Sequence, residues 1–565
     1  MLHIRVGYCV ASIPHIVPLG GTRAYEQDSH LFRCTVSSVA LTILLAAVLS
    51  APLMAQDWPM FGNDLTNSAN TQSTSLTTGN VGRLAPKWIF TTGGDVSARA
   101  SVVGGVVYFP DWQGNLYALN ANTGQVVWSH QLSDYGVAAG TVSRTAPTIV
   151  DGVLFIGTQY VASGPTGWLM AIDARTGRLI WKTQPDTSNS FPVITTSPVV
   201  ALGIVYVGMT SNEEFAAANP YYPCCSARGS VVAVNAFNGA KLWQTFTVPT
   251  GYTGGAVWGS NPVVDLLRGT VYIGTGDNYS HPTDPAFLAC IAAGGVEANC
   301  LPASDHVDSI LAIDMWSGRI KWAQKMVTWT QAGVASGSDD WNVACAFGGP
   351  NCPANLANQP TGPDFDFGSA PNEITYNGQH GWKTIIGAGQ KSGIYYAFDP
   401  DTGALLWQTQ VGPGSSLGGM EWGSASDGNS IYVAISNLYG IPYSGGNAGS
   451  WAALDPATGA IKWQVPDPNG AVDLGPLAVA KGVVYTESMA GTAGAPTMFA
   501  LDASSGHTLW SYPAGSSVIA GATISGDSVY WGSGYAHLGI PGYTGNNKFY
   551  AFSRNGNLNF PEVFI

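Results

Sequence analysis

One short unit recurs eight times along the chain, and a recurrence of this kind limits the fold more than any other feature. The unit reads apolar residue, Ala, apolar residue, Asp or Asn, a short spacer, Gly, and a run that ends in Trp. Copies begin at Tyr117, Met170, Val232, Leu311, Tyr396, Ala452, Phe499 and Tyr550. The first seven end on Trp128, Trp181, Trp243, Trp322, Trp407, Trp463 and Trp510, whereas the terminal Tyr550-Ala-Phe-Ser553 has no Trp. Asp-x-x-Thr-Gly supplies a side-chain-bonded turn and a Gly suited to positive φ, so each copy is a hairpin. Strand–turn–strand patterns between copies, such as 147–157 and 477–485, add a second hairpin. Four strands per repeat predict an all-β chain, an eight-bladed β-propeller of four-stranded antiparallel blades. The repeated Trp is then a packing residue between blades.

Composition excludes the main alternatives. The 565 residues include 71 Gly and 34 Pro but only 22 basic and 35 acidic side chains, a poor supply for helical bundles. With 45% hydrophobic residues there is ample surface to bury, which excludes disorder for most of the length. A net charge of −13 without a Lys/Arg cluster argues against nucleic acid as a partner.

Residues 38–50 form an uncharged apolar run behind Arg33, followed by small residues up to Ala55. The run is shorter than the ~20 residues of a membrane span and reads as a signal peptide. Residues 1–56 are therefore expected to be a leader and 57–565 the propeller, periplasmic or secreted, with no stable membrane insertion after cleavage. Six cysteines remain, and export favours disulfides. Their spacing suggests Cys290–Cys300 and Cys345–Cys352, leaving the adjacent Cys224 and Cys225, with free thiols or exchanged pairs as the alternative. No Cys-x-x-Cys-His occurs, so a covalently attached haem is excluded. The Trp-to-Trp intervals are longest across 181–243, 243–322 and 322–407, which hold all six of these cysteines. Long insertions in a regular array tend to carry function.

The repeat, with Trp58-Pro-Met-Phe-Gly62, Gly274-Thr-Gly-Asp-Asn-Tyr-Ser280, Pro363-Asp-Phe-Asp-Phe-Gly368 and Ala388-Gly-Gln-Lys-Ser-Gly393, resembles the eight-bladed quinoprotein alcohol dehydrogenases that use pyrroloquinoline quinone (PQQ). The likeness spans about 57–560 and is strongest to the branch acting on polyvinyl alcohol. It implies PQQ and Ca2+ on the propeller axis, oxidation of a secondary or polymeric alcohol by hydride transfer, and electrons passed to a separate cytochrome c.

The resemblance also implies a site. Asp366 is the expected base that takes the alcohol proton, with Asp364, Asp339 and Asp340 as rivals, and it can also touch the metal. Glu214, Asp277 and Asn278 are the expected ligands of a hard cation. Lys391 would hydrogen-bond the quinone oxygens, Arg144 and Thr195 would contact the cofactor, and Trp258 would lie against its ring. Glu421 and Trp422 are expected on the same face. The vicinal pair Cys224-Cys225 stands away from the family's usual place, here Ala138-Ala139, and either caps the cofactor from another blade or stiffens a loop. A non-catalytic propeller scaffold of the outer-membrane assembly type shares the repeat but needs no axial cluster of acid and metal ligands. Convergence of Glu214, Asp277, Asp366, Lys391 and Arg144 at one end of the channel separates the two readings.

Overall fold

The computed structural model describes residues 57–557 apart from 160–166, 189–190, 217–218, 220, 260, 281, 296, 327–362, 538 and 541. The expected leader, Asp339, Asp340, Cys345 and Cys352 lie outside the described residues. The strands form eight sheets, each built on four antiparallel strands, and helix is confined to short pieces such as Pro285–Ala292. Among the described residues no helix is long and apolar enough to cross a membrane.

Blades 1 to 7 follow the sequence order, at 101–131, 148–183, 199–246, 263–325, 372–410, 425–466 and 478–512. Their first strands, from Ser101–Val103 to Ala478–Ala480, touch one another in sequence, and Thr523–Ser525 of blade 8 closes the ring against Ser101–Val103. These short strands surround the axis. The last strands lie outermost and are largely exposed, as in Val126–Gln131 and Leu405–Gln410.

Blade 8 joins the two ends of the chain. Its inner strands are Thr523–Ser525, Ser528–Ser533 and Lys548–Ser553, while its outer strand is Ala85–Thr91, paired antiparallel with Lys548–Ser553. That strand carries Trp88, which supplies the Trp missing from the terminal repeat. Closure leaves no open edge inside the ring.

The repeated residues lock the blades. Each Trp donates its indole N–H across to the next blade at 2.8–3.2 Å: Trp88 to Ala121, Trp128 to Ala174, Trp181 to Ala236, Trp243 to Met315, Trp322 to Pro400, Trp407 to Pro456, Trp463 to Ala503 and Trp510 to Leu84. The Gly of the receiving turn lies against the same ring. A Cβ at Gly124, Gly177, Gly239, Gly318, Gly403, Gly459 or Gly506 would come within 2.9 Å of the preceding blade's indole. All seven have positive φ, so the repeat needs Gly both for the turn and for the approach. Adjacent blades then share cores, such as Phe155, Leu169, Val207 and Val232 between blades 2 and 3.

Candidate active site at the mouth of the channel

In every blade the chain enters the first strand from one end of the axis and leaves the second strand at that same end, because the two are antiparallel. Residues just before first strands and just after second strands therefore share one mouth. Arg144 precedes Thr148–Val150, Thr195 precedes Val199–Ala201, Trp258 precedes Val263–Asp265, Asp366 precedes Asn372–Gly378, and Glu421 and Trp422 precede Ala425–Ser426. Asp277 follows Thr270–Gly274, and Lys391 follows Gly381–Gly389. Asp277, Asp366, Lys391 and Arg144 thus share this mouth with Thr195, Trp258, Glu421 and Trp422.

Asp366 sits at the centre. Its Oδ1 accepts from the backbone N–H of Asp277 at 2.9 Å, and its Oδ2 accepts from Trp258 Nε1 at 2.7 Å and Lys391 Nζ at 3.2 Å. Lys391 also donates to Asp364 Oδ1 at 2.8 Å. All three side chains of this ion-pair network are over nine-tenths buried. Burial alone would discharge Lys391, but the carboxyls of Asp364, Asp366 and Glu421 outweigh it and hold the ammonium well above its usual range. One carboxylate oxygen from each of Asp277, Asp364 and Asp366 lies within 4.8 Å of the others. Gly276 makes this possible, since a Cβ there would stand 2.7 Å from Asp366 Oδ1.

Two perpendicular indoles border the cluster, Trp258 and Trp422, with centroids 5.5 Å apart. Lys391 Nζ lies 4.9 Å from the Trp258 ring and the Arg144 guanidinium 4.8 Å from that of Trp422, both within cation–π range. Thr195 Oγ1 donates to the backbone carbonyl of Trp258 at 2.8 Å and fixes its turn. Burial pushes the Glu421 carboxyl up to about 7, against the pull of Lys391 and Arg144 and with the help of Asp366. Beside these residues a cavity opens among Arg99, Arg144, Thr195, Ser197, Trp422 and Tyr535.

The cysteines and the blade 3 acids complete the picture. Cys224 and Cys225 are disulfide-bonded, as are Cys290 and Cys300. Cys225 and Trp258 pack on the same small cluster of Ala227, Ala256 and Tyr279. The side chain of Glu214 lies outside those described; its neighbour Glu213 is buried. Glu213 accepts from the N–H of Ser226 at 2.8 Å, from Ala227 N, from Ser226 Oγ and from the Tyr222 hydroxyl, so it ties down the turn that carries the vicinal disulfide. Asn278 is fully buried and donates to Thr253 O at 2.8 Å.

Sequence reading ranked Asp364 only as a rival base and passed over Arg99, Glu213 and Tyr535. The signal for Tyr535 was present: Gly532-Ser-Gly-Tyr535 repeats the register of Gly274-Thr-Gly-Asp277.

Comparisons with known proteins agree with this architecture. The chain matches the family model described as outer membrane protein assembly factor BamB over residues 77–324, 390–534 and 447–559, which reflects the repeat. It is 31% identical over 532 residues to a polyvinylalcohol dehydrogenase of Pseudomonas sp, covering 86% of this chain and 74% of that protein. A polyvinylalcohol dehydrogenase of Sphingopyxis sp. (strain 113P3) is 30% identical, with 85% and 73% covered. Among solved structures, the quinohemoprotein alcohol dehydrogenase ADHIIG of Pseudomonas putida HK5 superposes with a TM-score of 0.66 at 18% identity, covering 90% of this chain and 81% of that one, and shares the fold. With relatives at this identity over about 85% of its length, and with the acid, lysine and indole constellation at the channel mouth, the chain belongs to the PQQ-dependent quinoprotein alcohol dehydrogenases.

Proposed function

We propose that the protein is exported and oxidises secondary alcohols, including polymeric ones, with PQQ and Ca2+ at the channel mouth and a separate cytochrome c as electron acceptor. The observation that carries this reading is the meeting of Asp277, Asp364 and Asp366 around Lys391 beside Trp258. The donor set suits a hard cation, which takes oxygen ligands. Counted as carboxylates, the three acids against the one ammonium of Lys391 leave a charge that a divalent ion balances. Asp277 and Asp364 would hold the ion, with Glu214 and Asn278 as further ligand candidates and Asp366 beside it as the base.

PQQ, when bound, supplies the two-electron acceptor for hydride from the alcohol carbon. Trp258 gives it a flat surface and Trp422 a second wall. Arg144 and Lys391 offer donors to its oxygens, Thr195 holds the turn of Trp258 beside it, and the Cys224–Cys225 disulfide supports the Trp258 side. Asp366 is the base. Its Oδ2 is taken by Trp258 and Lys391, whereas Oδ1 carries only the Asp277 N–H and keeps a lone pair for the hydroxyl proton. Lys391 holds its own proton and stabilises the negative charge that develops nearby.

The test is to load the protein with PQQ and CaCl2 and compare 2-alkanols, primary alcohols and polyvinyl alcohol as donors, with a redox dye and then a cytochrome c as acceptor. At least tenfold higher kcat/KM on 2-alkanols or the polymer is expected. Faster turnover of primary alcohols would overturn the substrate assignment.

A further inference from the structure

Two buried acids between blades 6 and 7 take no part in the site above. Asp467 follows the outer strand Ile461–Pro466 of blade 6, and Asp473 precedes the inner strand Ala478–Ala480 of blade 7. They are 4% and 1% exposed. Asp467 Oδ1 accepts from the N–H of Asn469 at 2.5 Å, but among the described residues no group other than the facing carboxyl reaches Asp467 Oδ2 or either oxygen of Asp473. Among the described residues no Lys, Arg or His pairs with either acid. Buried charges left in this state are costly, so their retention calls for a partner.

The surrounding chain holds the pair in place. Asp467 N–H donates to Gly449 O at 2.9 Å, and Gly449 N–H donates to Ala471 O at 2.7 Å. Any side chain at 449 would displace the second acid, since a Cβ there would lie 2.6 Å from Asp473 Oδ2. Burial first, and then the neighbouring charges of Asp467 and Glu487, push the Asp473 carboxyl well above its usual range, and the Asp467 carboxyl is within hydrogen-bonding reach of it.

A third oxygen comes from blade 7. Glu487, in the strand Val483–Glu487, accepts from Gly521 N and from Trp531 Nε1, both of blade 8. Side chains alternate along a strand, so Thr486 faces the other way, toward blade 6. Thr486 is 1% exposed and its Oγ1 has no hydrogen-bond partner.

We propose that Asp467, Asp473 and Thr486 form a structural site for a divalent hard cation of the calcium class, which fastens blade 6 to blade 7. Two carboxylates match the charge of the ion, oxygen donors match its chemistry, and water completes the six to eight ligands that Ca2+ takes. An ion bound only by the folded chain raises its stability by mass action.

The test titrates CaCl2 into EDTA-treated full-length protein without quinone, reading bound calcium by elemental analysis and the thermal midpoint. Asp473→Asn and Asp467→Asn are each expected to lose one equivalent of calcium relative to the wild type and the corresponding part of the midpoint rise. Turnover of the quinone-loaded enzyme should stay within twofold. An unchanged calcium count with a higher midpoint in calcium-free buffer would mean that the two acids share a proton, and would overturn the proposal. Should both variants fail to fold, Thr486→Val provides the reading: at least fivefold weaker calcium binding supports the site, and unchanged affinity overturns it. Loss of calcium from Asp364→Asn reports on the channel mouth and is a separate event.

Discussion

Trp258 Nε1 donates to Asp366 Oδ2 at 2.7 Å across 108 residues of sequence, joining the aromatic wall of the site in one blade to its acid in the next. The contact orients the carboxylate, and in the proposed reaction it leaves Oδ1 for the substrate. Hydrogen bonds to charged groups are worth about 1.5–3 kcal/mol. Trp258→Phe is therefore expected to lower kcat by roughly 10- to 150-fold, with steady-state kinetics as the measurement.

Lys391 is buried between two carboxylates at 2.8 and 3.2 Å. Removing one member of such a network leaves uncompensated charge and costs about 3–5 kcal/mol. Lys391→Met should show a loss of this size in urea unfolding without added calcium. Pairing it with Asp364→Asn should cost less than the two single changes added together, because the second change removes one of the stranded charges.

Gly403 has φ +73, and a Cβ there would meet the Trp322 ring at 2.6 Å, whereas Gly494 has φ +81 and open space. Gly494→Ala pays only the backbone strain, about 1–2 kcal/mol. Gly403→Ala adds a clash between blades, about 1–3 kcal/mol more. Denaturant midpoints of the two variants test the inter-blade role of the repeat.

The Glu421 carboxyl, with its pKa near 7, faces Lys391, Arg144 and Asp366. Its folded value is raised, so the neutral form is favoured at low pH and a negative charge enters the mouth as pH rises through about 7. PQQ carries carboxylates, so its affinity should fall across that range. Glu421→Gln should flatten the dependence, as read by equilibrium binding between pH 6 and 8.

The blades were legible because a hairpin signature with Gly and Trp has one compatible packing, and each copy states it again. The ring closure was less so: Trp88 stands alone in Ala85-Pro-Lys-Trp88, without the Ala-φ-Asp turn that marks the other copies, since its partner strand lies at the far end of the chain. At the mouth, the family resemblance pointed to Arg144, Thr195, Trp258 and Asp366, each of which precedes the first strand of a blade. Neighbouring acids could not be separated. Asp364 adopts φ +62, a turn that brings it to the same Lys391 as Asp366, and no pattern in Asp-Phe-Asp predicts it. Glu213 poses the same problem, because nothing in Asn-Glu-Glu-Phe marks it as the acid that accepts from Ser226 and Ala227. The acids between blades 6 and 7 are far apart in no sense that sequence records; only the crossing of the chain shows them touching.

In the proposed reaction Asp366 performs the proton transfer of a quinone-dependent oxidation. The most direct measurement loads wild type and Asp366→Asn with PQQ and Ca2+, verifies bound quinone by its absorbance, and follows dye reduction with a secondary alcohol. Wild-type activity is expected to need both additions, and to fall about 100-fold or more in a variant that still binds the quinone. A quinone-loaded Asp366→Asn enzyme that turns over at the wild-type rate would contradict this role of Asp366.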